Sequence, residues 1–315
     1  MLPEQGDEAS HRAGRNRTGL SKGKMFMTVQ KKRMDLHIHT TVSDGTDRPE
    51  ELLSKIRVGG FELFSVTDHD DIKAVRIIRP LLKECDPHFL SGVEFSCRDE
   101  LGRYHILGYG YDENGDSIRS IVEKGHSMRM VKTKARLDYV QKTYGFAFPE
   151  DELRQLLSMD NPGKPHIAKL MVQHGYAESI SQAIHKYING LRIRDQFLKP
   201  DEAIQSILDA GGIPVLAHPS YGDGDEILVG DEMETRLKHV LAFGLQGVEA
   251  FYSGFTDKLR AEVLSLAEKY SLYVTAGSDY HGTNKLVRLG DTGLDHCREW
   301  PEGLTRFLSA IADKC

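Results

Sequence analysis

From Met34 onward, short β-rich apolar runs alternate with stretches of helical period, and that alternation leaves few folds open. The runs Met34–His39, Leu63–Thr67, Phe89–Phe95, Tyr104–Tyr109, Ile213–Ala217, Gly247–Phe251 and Leu272–Ala276 predict strands. Between and after them, Pro49–Val58, Ala74–Glu84, Pro200–Ala210, Glu232–Phe243 and Asp257–Tyr270 predict helices. In the last of these, Leu259, Val263, Leu266 and Ala267 share one face. Gly59-Gly60 and Gly211-Gly212 follow two of the helices, as expected at helix C-termini. A chain that alternates strand and helix in this way builds a parallel α/β sheet or barrel.

One stretch interrupts the alternation. Over residues 116–199 only helical patterns appear, at Ile118–Tyr144, Pro149–Met159, His166–His174 and Ser181–Asn189. The expected organisation is a disordered basic tail (1–33), a first barrel part (34–115), an inserted helical cap domain (116–199) and a second barrel part (200–315). The tail carries Arg12, Arg15, Arg17, Lys22, Lys24, Lys31, Lys32 and Arg33 against Glu4, Asp7 and Glu8. It has no apolar core of a secretory signal, and no run of about 18 apolar residues offers a membrane span. Cys85, Cys97, Cys297 and Cys315 are scattered, as expected of reduced thiols in a cytoplasmic protein. A net charge of −6 argues against a long nucleic-acid partner but leaves room for a small anionic substrate.

The 14 histidines are where chemistry enters. Asp35-Leu36-His37-Ile38-His39 ends the first predicted strand, and residues i and i+2 of a strand share a face. His37 and His39 can therefore grip one cation, with Asp44 entering from the next loop. Thr67-Asp68-His69-Asp70 ends the second strand, and active-site groups of parallel α/β folds sit at such ends. Glu94 lies inside the apolar run Gly92-Val93-Glu94-Phe95-Ser96, where an unpartnered carboxylate costs several kcal/mol. His105 sits within another apolar run, His218 closes the fifth strand before Pro219, and Asp279 and His281 follow the seventh. Each feature alone has a bland explanation in a turn or a core. Together His37, His39, Asp44, His69, Glu94, His105, His218, Asp279 and His281 exceed one tetrahedral site and suit two or three cations sharing carboxylates.

The ordered set D-L-H-I-H-T-x₂-S-D-G, T-D-H-D, G-V-E-F-S, H-I-L-G-Y, A-H-P and G-S-D-Y-H resembles the PHP (polymerase and histidinol phosphatase) superfamily, from Met34 to about Gly293. Within it, the chain is most similar to stand-alone metal-dependent phosphoesterases with a helical insertion before A-H-P. The resemblance implies a distorted (βα)₇ TIM-like barrel with that cap and a trinuclear metal centre. His37, His39, Glu94 and Asp279 would hold the first ion, and Glu94, His105 and His218 the second. Asp44, His69 and His281 would hold the third. Asp35 and Asp68 would orient imidazole N–H groups.

Such a centre hydrolyses phosphate esters because cations neutralise the phosphoryl oxygens and make a bridging water nucleophilic near neutral pH. Imidazole and carboxylate ligands suit Mn²⁺, Fe²⁺ or Zn²⁺ alike. The expected activity is hydrolysis of monoesters or five-membered cyclic diesters of small phosphorylated nucleosides or sugars. His218, His281 and Asp279 are the expected catalytic groups, and the leaving group would take its proton from a metal-bound water or from a histidine such as His218 or His281. Gly163-Lys164-Pro165-His166-Ile167-Ala168 resembles the branch's G-[RK]-P-H-[FI]-A segment, which implies substrate contacts for Lys164 and His166. There Lys164, where arginine is usual, offers a point charge rather than a fork. Arg192 and Arg194, near where the cap should rejoin the barrel, read either as a contact to a second phosphate or as a solvated basic face. His126, His174, His185, His239 and His296 read as ordinary surface or core residues. Two alternatives stand beside this reading: an exonuclease trimming very short oligoribonucleotides, and a non-catalytic metal-binding module.

Overall fold

Seven strands form in the computed structural model, which describes residues 33–222, 226–297 and 299–314. In chain order the elements are β1 (Arg33–Asp35), α1 (Pro49–Val58), β2 (Phe61–Val66), α2 (Lys73–Ile78), β3 (His88–Asp99), β4 (Gly102–Tyr109), α3 (Asp116–Tyr144), α4 (Glu150–Leu157) and α5 (Lys164–Gln173). There follow α6 (Ile180–Gln182), which runs on through π and 3₁₀ turns to Gly190, then α7 (Pro200–Asp209), β5 (Ile213–Leu216), α8 (Gly230–Leu241), β6 (Gly247–Tyr252), α9 (Asp257–Lys269), β7 (Tyr273–Gly277) and α10 (Glu302–Ala310). Local chemistry sets several of these ends. Pro49 and Pro200 open α1 and α7, where a missing N–H costs nothing. The Thr256 hydroxyl accepts the Leu259 N–H at the start of α9. Gly145, at φ 71°, ends the 29-residue α3 in the left-handed conformation.

The strands form one sheet in the order β1-β2-β3-β4-β5-β6-β7. The expectation of a wholly parallel arrangement needs one correction: β4 runs antiparallel to both β3 and β5. Only two residues separate β3 from β4, too few for a parallel crossover, so a hairpin is forced. A second correction concerns β1, which ends at Asp35 rather than His39. Beyond it, side chains replace the ladder: Asp35 accepts the Ser278, Gly290 and His37 N–H groups, and Thr67 Oγ1 accepts the Ile38 N–H. The ladder does not close between β1 and β7. Three backbone bonds nevertheless join their flanks, Leu36 N to Ala276 O (2.9 Å), Asp279 N to His37 O (2.8 Å) and His39 N to Tyr280 O (2.9 Å). The basic tail lies outside the described residues except Arg33, whose guanidinium donates to the Gly59 and Leu289 carbonyls and stacks on Phe61.

Apolar residues segregate into three cores. The largest packs Val93, Phe95, Ile106, Val215, Val248 and Val274 of the sheet against α7 to α10. A second joins Leu52, Leu53 and Ile56 of α1 to Phe64, Val66 and Ile78. The third lies wholly within residues 137–188, where Leu137, Val140, Ile167, Met171 and Ile188 pack together. Among the described residues, 116–190 contain no strand. Burial of a leucine such as Leu137 in that third core is worth about 2–5 kcal/mol against alanine. No helix among the described residues is long and apolar enough to cross a membrane.

Candidate metal centre

The C-terminal ends of β1, β2, β5 and β7 deliver their side chains to one place, and β3, β4 and β6 supply the floor. The pairing of β2 with β3 continues beyond Val66, so that Asp70 N donates to Glu94 O at 3.0 Å and His69 stands beside Glu94. In the β3–β4 hairpin, His105 lies opposite Ser96 and on the same face as Glu94. Gly277 is required by this crowding: a Cβ there would lie 2.2 Å from His37 Cβ and 2.5 Å from Glu249 Oε1. Asp70, His218 and Asp279 all adopt positive φ (52°, 28° and 57°). Such conformations in non-glycine residues cost about 1–3 kcal/mol each, and they gather where surrounding contacts fix function.

Glu94 sits at the centre and is 1% exposed. Its Oε1 lies 2.8 Å from His105 Nδ1 and 3.3 Å from His218 Nε2. Its Oε2 lies 2.9 Å from His69 Nδ1, 3.2 Å from His39 Nε2 and 3.4 Å from His37 Nε2. Asp279 Oδ1 lies 3.5 Å from His37 Nε2, 3.3 Å from His39 Nε2 and 3.3 Å from His281 Nδ1. Asp44 meets His281 Nε2 at 3.2 Å, His39 Nδ1 at 3.7 Å and His69 Nε2 at 3.9 Å. The nine groups singled out above thus form one network. Three sets within it have ligand atoms close enough to share an ion: His39, Asp44, His69 and His281; His37, His39 and Asp279; and His69, Glu94 and His105.

The fit to cations can be tested on the polar atoms themselves. His69 Nδ1, His105 Nδ1, His218 Nδ1 and Glu94 Oε2 are buried without a hydrogen-bond partner among the described residues, although the first two lie within 2.9 Å of Glu94 oxygens. Buried polar atoms that converge without hydrogen-bond geometry are costly unless something else binds them. Lone pairs of imidazole and carboxylate converging on one point suit a divalent cation.

Titration behaviour follows from the same crowding. Burial opposes ionisation of Glu94, but His105, His69 and His37 pull its carboxyl well below the usual range. Asp279 likewise is held low against burial by Lys285, His281 and His37, and Asp44 by His281 and His69. Burial pushes His105 down to about 3 and, with His39 and Lys285 beside it, His281 down to about 4. Burial is outweighed at His37 by Glu249 and Glu94 and at His39 by Asp279 and Glu94, which raise both imidazoles, His39 to about 9, whereas His105 and His281 are held in the neutral form that ligates metal.

Among the described residues Asp35 and Asp68 accept no imidazole N–H. Asp35 accepts from the backbone N–H groups named above and from Ser278 Oγ, while Asp68 accepts from Thr40 and Ser43, so each ties loop to loop. The imidazole partner is Glu249, which the sequence reading missed: its Oε1 meets His37 Nδ1 at 2.9 Å, and its Oε2 accepts the His218 backbone N–H at 3.0 Å. The signal was present. Gly247-Val248-Glu249-Ala250 buries a carboxylate in an apolar strand as Gly92-Val93-Glu94 does. Asp279 has two further partners, Tyr252 Oη at 3.0 Å and Lys285 Nζ at 2.6 Å.

A cavity of about 380 Å³ opens beside Asp44, His69 and His105. Arg98, Arg103, Arg129, Lys132, Arg136, Lys164, Arg192 and Arg194 line it, and Asp44 is its one carboxylate among the described residues. Lys164, whose Nζ donates to Asn189 Oδ1 at 2.5 Å, and Arg194 are therefore in its wall. His166 is not; its Nδ1 accepts the Gly163 N–H at 3.0 Å. Arg129, Lys132 and Arg136 project from one face of α3 and were not singled out from sequence. Arg129 is matched by Asp70, whose Oδ2 accepts from its Nε (3.1 Å) and Nη2 (2.9 Å). Lys132, 5% exposed, lies 3.7 Å from the centre of the Phe197 ring, and Arg136, 8% exposed, has an Nε without a hydrogen-bond partner among the described residues. Burial, opposed by Asp70 but reinforced by neighbouring arginines, pushes Lys132 down to about 7. A smaller cavity of about 200 Å³ adjoins the first and is lined by Glu94, His218, Tyr221, Tyr252, Asp279 and Lys285, among others.

Comparison with known proteins agrees with this chemistry. The PHP domain model matches residues 35–235. A phosphoribosyl 1,2-cyclic phosphate 1,2-diphosphodiesterase of Eggerthella lenta is 28% identical over 258 residues, covering 79% of this chain and 94% of its own. A 5′-3′ exoribonuclease of Haemophilus influenzae is 26% identical over 264 residues, covering 82% of this chain and 93% of its own. Among solved structures, a Bifidobacterium adolescentis protein assigned as a metal-dependent phosphoesterase superposes with a TM-score of 0.74 at 27% identity, covering 89% of this chain and 96% of that one.

Proposed function

The chain belongs to the PHP domain family, as a metal-dependent hydrolase of phosphate esters, and we propose that it acts on small phosphorylated nucleosides or sugars, as monoesters or five-membered cyclic diesters. The observation that carries this reading is the convergence of orphaned imidazole nitrogens on Glu94 at the mouth of a cavity walled by arginine and lysine. We assign the nine groups His37, His39, Asp44, His69, Glu94, His105, His218, Asp279 and His281 to two or three divalent ions, Mn²⁺, Fe²⁺ or Zn²⁺. Bound there, the ions would offset the charge of the phosphoryl oxygens and supply an activated water.

The rest falls to the chain's own residues. Glu249 fixes the His37 ring through Nδ1, leaving Nε2 to face Glu94 and Asp279. Lys132, Arg136, Lys164 and Arg194 are assigned to the remaining anionic groups of the substrate, whose charge the buried Lys132 and Arg136 would favour. Of the titratable groups lining the smaller cavity, His218 and Lys285 are assigned as those from which a leaving group would draw its proton. Residues 116–199 we read as a cap domain, supported by their separate apolar core, and the sheet as a distorted barrel, supported by the backbone bonds between the flanks of β1 and β7. A cytoplasmic location remains part of this proposal.

A phosphate-release screen with the Mn²⁺-loaded chain across cyclic phosphates, mononucleotides and sugar phosphates tests the reading. Release from at least one class is expected; no release from any would refute it. The cationic wall also suits a 5′-phosphorylated oligonucleotide of a few residues, so a labelled trimer belongs in the screen. Cleavage of the trimer with mononucleotides untouched would move the assignment to an exonuclease. A chain that binds Mn²⁺ and cleaves nothing would be a binding module.

A further inference from the structure

Helix α3 begins well after the last residue of the His69 turn, yet it packs directly on that turn. A Cβ at Gly125 would lie 3.1 Å from Asp70 Cβ, so any larger residue at this position would push the helix and the turn apart by a few tenths of an ångström. One turn further along α3, Arg129 is 8% exposed and reaches the same place. Its Nε and Nη2 donate to Asp70 Oδ2 at 3.1 and 2.9 Å, and Nη2 also reaches Ser96 Oγ at 3.3 Å. Asp70 in turn accepts the Ser96 N–H through Oδ1 at 2.8 Å and donates its own N–H to Glu94 O at 3.0 Å. The loop after α4 adds two more holds: Asn161 Nδ2 donates to the His69 carbonyl, and Asp160 pairs with Lys73 at 2.6 Å.

These contacts converge on a strained point. Asp70 has φ 52°, a conformation that non-glycine residues keep only when neighbours over-determine it. The residue before it, His69, and the residue two before Ser96, Glu94, are the groups brought to 2.9 Å of one another. Arg129 therefore joins the helical segment to both ligand-bearing segments at once, without itself touching His69 or Glu94 in any contact described above.

We propose that Arg129 is a positioning residue of the metal centre: through Asp70 and Ser96 it holds the His69 turn against the Glu94 strand, so that α3 is part of the framework that makes the site bind metal. This rests on the assignment of the cluster as a metal centre. Electrostatics gives the proposal a sign that charge alone cannot imitate. Removing a cation near a divalent ion relieves repulsion and should tighten binding, whereas removing a positioning group loosens it.

The test is the Mn²⁺ affinity of the metal-stripped full-length chain, measured by competition with a chromophoric chelator and with no substrate present. Arg129→Met is expected to weaken binding by about 10- to 100-fold, the usual effect of losing a group that orients a ligand. Arg136→Met removes a charge from the same cavity but touches neither Asp70 nor Ser96 in the contacts above, and is expected to leave affinity unchanged or tighter. Arg129→Lys, which keeps the charge and most of the packing, is expected to fold as the parent does and to recover part of the loss. Unchanged or tighter Mn²⁺ binding in folded Arg129→Met or, should that variant not fold, in Arg129→Lys would overturn the proposal, and so would an equal weakening by Arg136→Met. A parent chain that binds no Mn²⁺ would overturn the metal-centre assignment and this proposal together, which separates the two failures.

Discussion

Two clusters of buried charge lie side by side here and are built on opposite rules. Around Glu94, every carboxylate faces imidazole nitrogens: Glu94 is ringed by His37, His39, His69, His105 and His218, and Asp44 by His39, His69 and His281. Along α3 and the walls of the adjoining cavity, cations outnumber carboxylates: among the described residues that line the cavity Asp44 is the one carboxylate, and Asp70 behind it is set against Arg129 and Lys132. A balanced cluster of donors and acceptors is what a site for cations needs. An unbalanced one is stabilised only when an anion arrives. The difference reads as a division of labour, metal on one side and substrate charge on the other.

The comparison can be broken by single substitutions. Within the balanced cluster, Glu94→Ala leaves five imidazoles without their shared acceptor, and turnover in the phosphate-release assay should fall about 10³-fold; a fall below tenfold would remove Glu94 from the centre. At the junction of the clusters, Arg129→Met leaves Asp70 buried without its partner, and urea denaturation should show a loss of about 3–5 kcal/mol. Glu249→Ala frees the His37 ring, and Mn²⁺ affinity should drop about 10- to 100-fold while the fold persists. In the unbalanced cluster the sign reverses. Lys132→Met should stabilise the metal-free chain by on the order of 1 kcal/mol at pH 7 and below.

That last gain has a pH signature. Lys132 titrates at about 7 in the folded chain, against an ordinary value of 10.5, so between these values the unfolded chain binds more protons. Stability of the parent should therefore rise from pH 7 towards 10.5, and the advantage of Lys132→Met should fade over the same window. An advantage that stays constant with pH would mean that Lys132 is not penalised as a buried cation.

The balanced cluster was legible in sequence, and the unbalanced one was not. His37, His39, His69, His218 and His281 follow strands, and a polar residue where an apolar run stops is a local signal. Glu249 carried the same signal as Glu94 and was overlooked, since no histidine accompanied it in the chain. Arg129, Lys132 and Arg136 gave none: on a long helix, spaced cations look like a solvated face until the third dimension shows what covers them. The antiparallel β4 was equally hidden, because an apolar run states that a strand is buried and not which way it runs. At the early end of β1, side-chain bonds stand where a ladder would continue, with Thr67 Oγ1 accepting the Ile38 N–H and the Asp35 carboxylate accepting the Ser278 N–H, a long-range effect that no local pattern carries.

The central claim is that the Glu94 cluster holds the ions that make this chain a phosphoesterase. It is tested most directly by titrating the metal-stripped chain with Mn²⁺ while bound metal and phosphate release are followed in one sample. The account predicts release that rises with occupancy up to two or three ions per chain and disappears on chelation. Release that ignores metal occupancy, or full occupancy with no release from any phosphate ester, would contradict it.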